Sequence, residues 1–121
     1  MATSVLPIMS YRSGTVSSTT DQPNAVSYLT VRQSGRVVTI NGYVRDISFT
    51  ANTNTNVVQI SGVDLPASSS EIIRFPVNIA DQAYNPGVLG VGAFTENGYI
   101  RVSSPATATG RNITFSISYI V

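Results

Sequence analysis

The side chains that carry most catalytic and metal chemistry are missing from this chain. It has no histidine and no cysteine, so neither a Ser-His-Asp triad nor a thiol-based one can be assembled, despite many serines. Metal sites that need imidazole or thiolate go with them. A carboxylate pair, as used in glycoside hydrolysis, is the one catalytic arrangement left. The carboxylates are Asp21, Asp46, Asp64, Glu71, Asp81 and Glu96, each isolated in sequence. They read as partners for arginine and as caps of turns, so no enzyme and no cofactor are expected. Isolated aspartates neither require nor forbid a calcium ion among the loops.

Recognition chemistry remains. A sugar-binding surface uses aromatic faces for the apolar side of a ring and Asn, Asp and Arg for its hydroxyls. Tyr43 falls on the outward face of a strand beside Arg45 and Asp46, Tyr84 and Asn85 fall in a loop, and Tyr99 shares a strand face with Arg101. These seven are the candidate ligand-binding residues, although tyrosine is favoured in strands for packing alone. Gly87, Gly90 and Gly92 have neither the spacing nor the following helix of a phosphate-binding loop. They are expected to permit bends or close backbone approach inside a strand. Asn112-Ile113-Thr114 matches the glycosylation pattern by chance, because no secretory signal accompanies it.

The chain has 121 residues, a length suited to a single domain. Residues 1–25 are expected to supply a first strand and a loop leading into a core formed by residues 26–121. All seven basic residues are arginine, the formal net charge is +1, and no basic cluster or basic–aromatic stripe exists. Nucleic acid and anionic membrane are therefore poor partners. No apolar run approaches a membrane span and the first ten residues lack the form of a signal peptide, so a soluble, unexported product is expected. The missing lysine matters in another way. Sheet proteins commonly guard exposed strand edges with it, so a β-protein of this composition must protect its edges by closure, by loops or by a neighbouring subunit.

The elements that would position these residues are strands. No helical stripe is present, Ser, Thr, Val, Ile, Asn and Gly dominate, and turn signals recur about every ten residues, the spacing of a sandwich or barrel. Residues 1–14 hold a modest apolar group, Val5-Leu6-Pro7-Ile8-Met9, and residues 15–25 read as a loop. Residues 26–33 and 36–49 form a hairpin turning near Ser34-Gly35, with Val38, Ile40, Gly42 and Val44 on one face. Alternation slips at Asp46, where a bulge is expected. Residues 50–56 are a polar loop, 57–60 a short strand, and 71–77 a strand stopped by Pro76. Residues 79–86 read as irregular. Residues 87–94 and 98–103 form a second hairpin around Asn97-Gly98, the signature of a type I′ turn. After a loop over 104–110, the closing strand sets Ile113, Phe115, Ile117, Tyr119 and Val121 on one face, so this strand is expected to be internal to a sheet or pressed against another chain. The expected fold is all-β: seven to nine short antiparallel strands in a sandwich, jelly roll or barrel.

The order of these segments resembles a known family. A hairpin around "GRVVTINGYV", a loop with "LP", then "IIRFPV", "ENGYIRV" and a terminal "ITFSISYIV" is similar to the C-terminal, receptor-binding head module of tail-fibre and baseplate proteins of phages infecting Gram-positive bacteria. The resemblance runs from about Val26 to Val121 and carries no catalytic motif. It implies a compact β-head, usually a homotrimer, adhering to host cell-surface saccharide at the tail tip of a virion beside other tail proteins. It also implies that neighbouring chains cover the apolar final strand. It hands over no binding site, because the loops differ between members. Two departures stand out. Ala67-Ser68-Ser69-Ser70 replaces the Gly-Tyr-Arg-Pro-like run that often follows "LP", and this sequence shows no coiled-coil or collagen-like stalk before the head, so either a lone module or a stalk lying outside this sequence is expected. The alternatives are a structural virion protein, such as a capsid decoration or fibre-assembly module, and a free-standing carbohydrate-binding domain.

Overall fold

A computed structural model describes residues 11–67, 72–83, 85 and 87–121. Among them are nine strands and no helix: β1 (Tyr11–Ser13), β2 (Thr15–Ser17), β3 (Val26–Ser34), β4 (Val37–Phe49), β5 (Thr55–Ser61), β6 (Ile73–Ala80), β7 (Val88–Phe94), β8 (Tyr99–Ser103) and β9 (Ala108–Ile120). All pair antiparallel in one sheet of order β1-β3-β4-β9-β6-β7-β8-β5-β2. The strands at the two ends of that order, β1 and β2, are joined by Gly14 alone, whose N–H donates to the carbonyl of Val31 on β3. The chain thus leaves one edge of the sheet and at once pairs with the other, which nearly closes a barrel. This near-closure pairs the edge of β3 at Arg32–Ser34 and that of β5 at Gln59–Ser61, so it shortens the edge that lysine would otherwise guard.

The interior follows from alternation. On β4 Val38, Ile40 and Val44 are fully buried, and beyond the slip Ile47 and Phe49 are buried too. Asp46 takes a left-handed conformation, φ 63°, and the register with β9 shifts between Val44 and Ile47. The expected bulge is there, and it returns apolar side chains to the core after a change of face. Phe75 and Phe115 meet with ring centroids 5.2 Å apart, and Phe94 and Tyr119 at 5.6 Å. Gly92 leaves room for the Phe75 ring, which a Cβ would approach to 2.2 Å. The glycines of β7 therefore serve close approach.

Several expectations need correction. Residues 15–17 are a strand and not part of a loop, because β5 offers them a partner edge. Pro76 does not stop β6, which continues to Ala80. Among the described residues β6 meets β9 only over Asn78–Ala80, so Pro76 lies where the strand has β7 as its one neighbour, and a missing donor is tolerated there. Two strands are long rather than short, β4 and β9 having 13 residues each. Asn97-Gly98 does not form a type I′ turn, since Gly98 has a positive φ of 83° and Asn97 does not. Instead Gly98 N–H bonds to the Thr95 carbonyl at 3.0 Å and Thr95 N–H to Tyr99 at 3.3 Å. That is a three-residue loop with a left-handed glycine last.

Of the two coverings expected for the final strand, the structure has the first, a place inside the sheet, and not the neighbouring chains that the resemblance implied. β9 runs in the middle of the sheet between β4 and β6, and Ile113, Phe115, Ile117 and Tyr119 face the interior of their own barrel. No neighbouring chain is needed to bury them. Val5–Met9 and Glu71 lie outside the described residues.

Candidate functional site

Register decides which loops meet. Thr55 pairs with Val102, Phe49 with Ala108, Ala80 with Asn112 and Val26 with Arg45. The connections 18–25, 50–54 and 104–107, and that between β6 and β7, therefore gather at one end of the barrel. They are the polar stretches of the sequence, rich in Thr, Ser, Asn and Asp. Loops on a rigid scaffold are where binding residues concentrate.

Side chains tie these connections together. Gln22 is buried although polar. Its amide donates to the Ser48 carbonyl at 2.7 Å and to Thr55 Oγ1 at 2.9 Å, and its Oε1 accepts from Ser48 N–H at 3.1 Å. Asp21 Oδ2 accepts from Asn56 N–H, and Thr19 Oγ1 donates to the Asn56 carbonyl. The 50–54 turn is held to the 104–107 loop by Asn52 N–H on the Ser104 carbonyl and by Ala51 N–H on Thr107 Oγ1, at 2.8 and 2.9 Å. Asn52 itself is left-handed, φ 57°, a conformation asparagine tolerates well.

On the β6–β7 side, Asp81 organises its own loop. Its carboxylate accepts from Asn85 N–H, from the Asn85 amide and from Ala83 N–H at 2.9–3.0 Å. The Asn85 backbone bond, then its side-chain bond, with the Ala83 N–H and the charge of Arg111 adding less, hold the Asp81 carboxyl below its ordinary value. Gln82 reaches back to the bulge. It accepts from Arg45 Nη2 at 2.8 Å and donates to Asp46 Oδ1 at 2.6 Å and to the Gly110 carbonyl at 2.8 Å. Two buried polar atoms nearby, Arg45 Nε and Asn112 Oδ1, have no hydrogen bond among the described residues.

Two clefts open between these connections. One, of about 240 Å³, is lined by Asp81, Asn85, Arg111, Ser104, Ala106 and Thr107, together with the apolar Ile79 and Val88. The second, of about 510 Å³, is bounded by Asp21, Gln22, Ser48, Thr50, Thr53, Asn54, Thr55 and Thr109, and again by Thr107. A third cleft at the opposite end, about 560 Å³, is largely apolar, with Leu65, Pro66, Ile73, Tyr119 and Val121. The first two present hydroxyls, amides and carboxylates, the groups that hydrogen-bond polyols. No group of three or more Asp or Glu able to hold a metal gathers among the described residues.

The structure divides the seven candidate residues. Arg45, Asp46 and Asn85 stand at this end, drawn together through Gln82 and the Asp81 loop. Tyr43 lies on the outer wall two residues from Arg45, directly across from Tyr28, with the rings stacked 4.8 Å apart. Tyr99 and Arg101 belong to another flank, on β8 beside β5, where Arg101 Nε donates to Asn56 Oδ1 at 3.0 Å. Tyr84 is outside the described residues. Sequence reasoning passed over Gln22, Gln82, Thr107 and Arg111. Their one signal is membership of polar stretches, which says nothing of what they face. Asn112 is 1% exposed within β9, so its glycosylation match carries no accessible acceptor.

Comparison with protein-family models, with curated proteins and with solved structures gives no match.

Proposed function

We propose that this protein is a non-catalytic adhesion module, the head of a phage tail fibre or baseplate protein, which binds host cell-surface saccharide with the loop-bearing end of its barrel. The observation that carries the reading is the cleft between Asp81, Asn85, Arg111 and Ser104, set among connections that side-chain hydrogen bonds hold in place. A rim ordered before ligand arrives loses little entropy on binding. Its polar groups suit sugar hydroxyls, and its volume suits one ring rather than a drug-sized ligand. Weak single sites gain strength when several act together, which favours assembly as a homotrimer attached to other tail proteins of the virion.

A labelled protein incubated with a panel of Gram-positive cells tests this. Binding to at least one strain, competed by that strain's purified wall polysaccharide with no shortening of the polymer, is the expected result. Binding to no strain would remove the adhesion reading, binding that no polysaccharide competes would remove its saccharide ligand, and a shortened polymer would remove its non-catalytic part.

A structural role within the virion is the second reading, and a different surface favours it. Leu89 and Val91 on the outer face of β7 are 69% and 57% exposed, beside exposed Pro76 of β6. Apolar side chains grouped on an outer wall are typical of contacts with other proteins.

A further inference from the structure

We infer that the two polar clefts at the loop end are consecutive subsites of one groove, and that its ligand is a neutral oligosaccharide chain rather than a single sugar or an acidic polymer. This rests on the saccharide-binding reading and extends it. Thr107 borders both clefts, so they adjoin at the end of the 104–107 loop. The Thr107 side chain is fixed, because its Oγ1 accepts from Ala51 N–H at 2.9 Å. The loop is fixed a second time by Asn52 N–H on the Ser104 carbonyl. The wall between the clefts is therefore tied by two hydrogen bonds to the 50–54 turn, and a linear chain laid across it would set one ring on each side.

The chemistry of the lining sets the ligand class. The larger cleft is bounded by Thr50, Thr53, Asn54, Thr55 and Thr109, with Asp21 its one charged group and no cation. The smaller has Asp81 and Arg111, opposite charges close enough for Arg111 to lower the Asp81 pKa. A phosphate- or carboxylate-bearing polymer would set a negative charge against Asp21 in the larger cleft, which no cation borders, while in the smaller the charges of Asp81 and Arg111 offset each other. Neutral hydroxyls meet no such opposition and find threonine hydroxyls and amides as partners. No described tyrosine borders either cleft. Recognition then comes from hydrogen bonds distributed along the chain, and affinity must grow with chain length.

Amide chemical-shift titration of the isotope-labelled protein is the test. The probes are glucose, N-acetylglucosamine and galactose, each alone and as a linear trisaccharide (maltotriose, chitotriose and β-1,4-galactotriose), with hyaluronan fragments as the acidic control. Expected for at least one neutral trisaccharide are shifts at Thr53 and Asn54 together with Asn85 and Arg111, following one dissociation constant about 10-fold tighter than its monosaccharide. Asn54→Ala and Arg111→Gln should each remove most of that gain. Shifts confined to one cleft, with no dependence on chain length, would overturn the groove while leaving saccharide binding at this end intact. Preferred binding of the acidic fragments would overturn the neutral class. Absence of shifts at both clefts with every probe would overturn the groove, and the separate whole-cell competition would then decide the adhesion reading.

Discussion

At the scale of single residues, the consequential side chains are buried polar ones that the sequence hides in ordinary loops. Gln22 is 7% exposed and makes three hydrogen bonds to the backbone of Ser48 and the hydroxyl of Thr55. Gln22→Leu keeps the volume and removes those partners, and buried groups left unpaired cost about 1–3 kcal/mol. Urea denaturation should register a loss of that size, with the midpoint lowered. Tyr119 is the other case. Its hydroxyl donates to the Asp64 carbonyl, and burial, aided by the negative charge of Asp64, pushes its pKa from 10.0 up to about 12. A raised folded-state pKa stabilises below the unfolded value and is lost as pH rises through the folded one. The melting temperature should therefore fall between pH 10 and 12. Tyr119→Phe, less stable at pH 8, should show a flatter alkaline limb. Parallel curves for the two proteins would contradict that account. Of the seven candidate residues, the pattern of sequence was sufficient to set Tyr43 and Arg45 on an outward strand face and Tyr99 and Arg101 on one shared face. It had no means of telling that Arg45 and Asn85 share an end of the molecule while Tyr99 and Arg101 lie on another flank.

At the scale of elements, the decisive segment is the short β1–β2 ribbon that closes the barrel. Its hinge has no spare room, since a Cβ on Gly14 would lie 2.4 Å from Val31 Cγ1 and 3.0 Å from the Ser61 carbonyl. Gly14→Ala should destabilise by about 1–3 kcal/mol through overpacking. Val31→Ala introduced beside it should return part of that loss, a coupling readable in a double-mutant cycle. Simple additivity of the two would mean that the seam does not pass through this contact. The strands β4 and β9 supply the other half of the enclosure. Phe115→Asp or Ile117→Asp sets a carboxylate into a core position 5% or 2% exposed and should abolish folding, seen as loss of the sheet signal in circular dichroism. Strand existence and facing were legible because alternation is local. Residues 15–17 carry no strand signature in the sequence, because a three-residue strand rich in serine and threonine has no signal until a partner edge is beside it.

At the scale of the whole molecule, the barrel makes an assembled state a matter of function and not of core burial. The apolar face of β9 is covered from within, so a trimer, if it forms, must use outer surfaces. Light scattering on a sizing column checks this. Three times the chain mass of 12.8 kDa is expected for the fibre-tip assembly, with Leu89→Asp leaving the fold intact. A mass of one chain at every concentration would remove the homotrimer from the proposal. The sequence by itself determined the class of the molecule. The absence of His and Cys excluded triads and thiolate sites, and period-two alternation with glycine-marked turns dictated strands and their buried faces, because those constraints act within a few residues. Tertiary structure alone decided the strand order, the closure through Gly14 and the meeting of Asp21, Asn54, Asp81, Thr107 and Arg111 around two clefts. Those follow from pairing between segments far apart in the chain, where the gain comes from backbone ladders and shared core volume, and neither leaves a mark in local residue spacing.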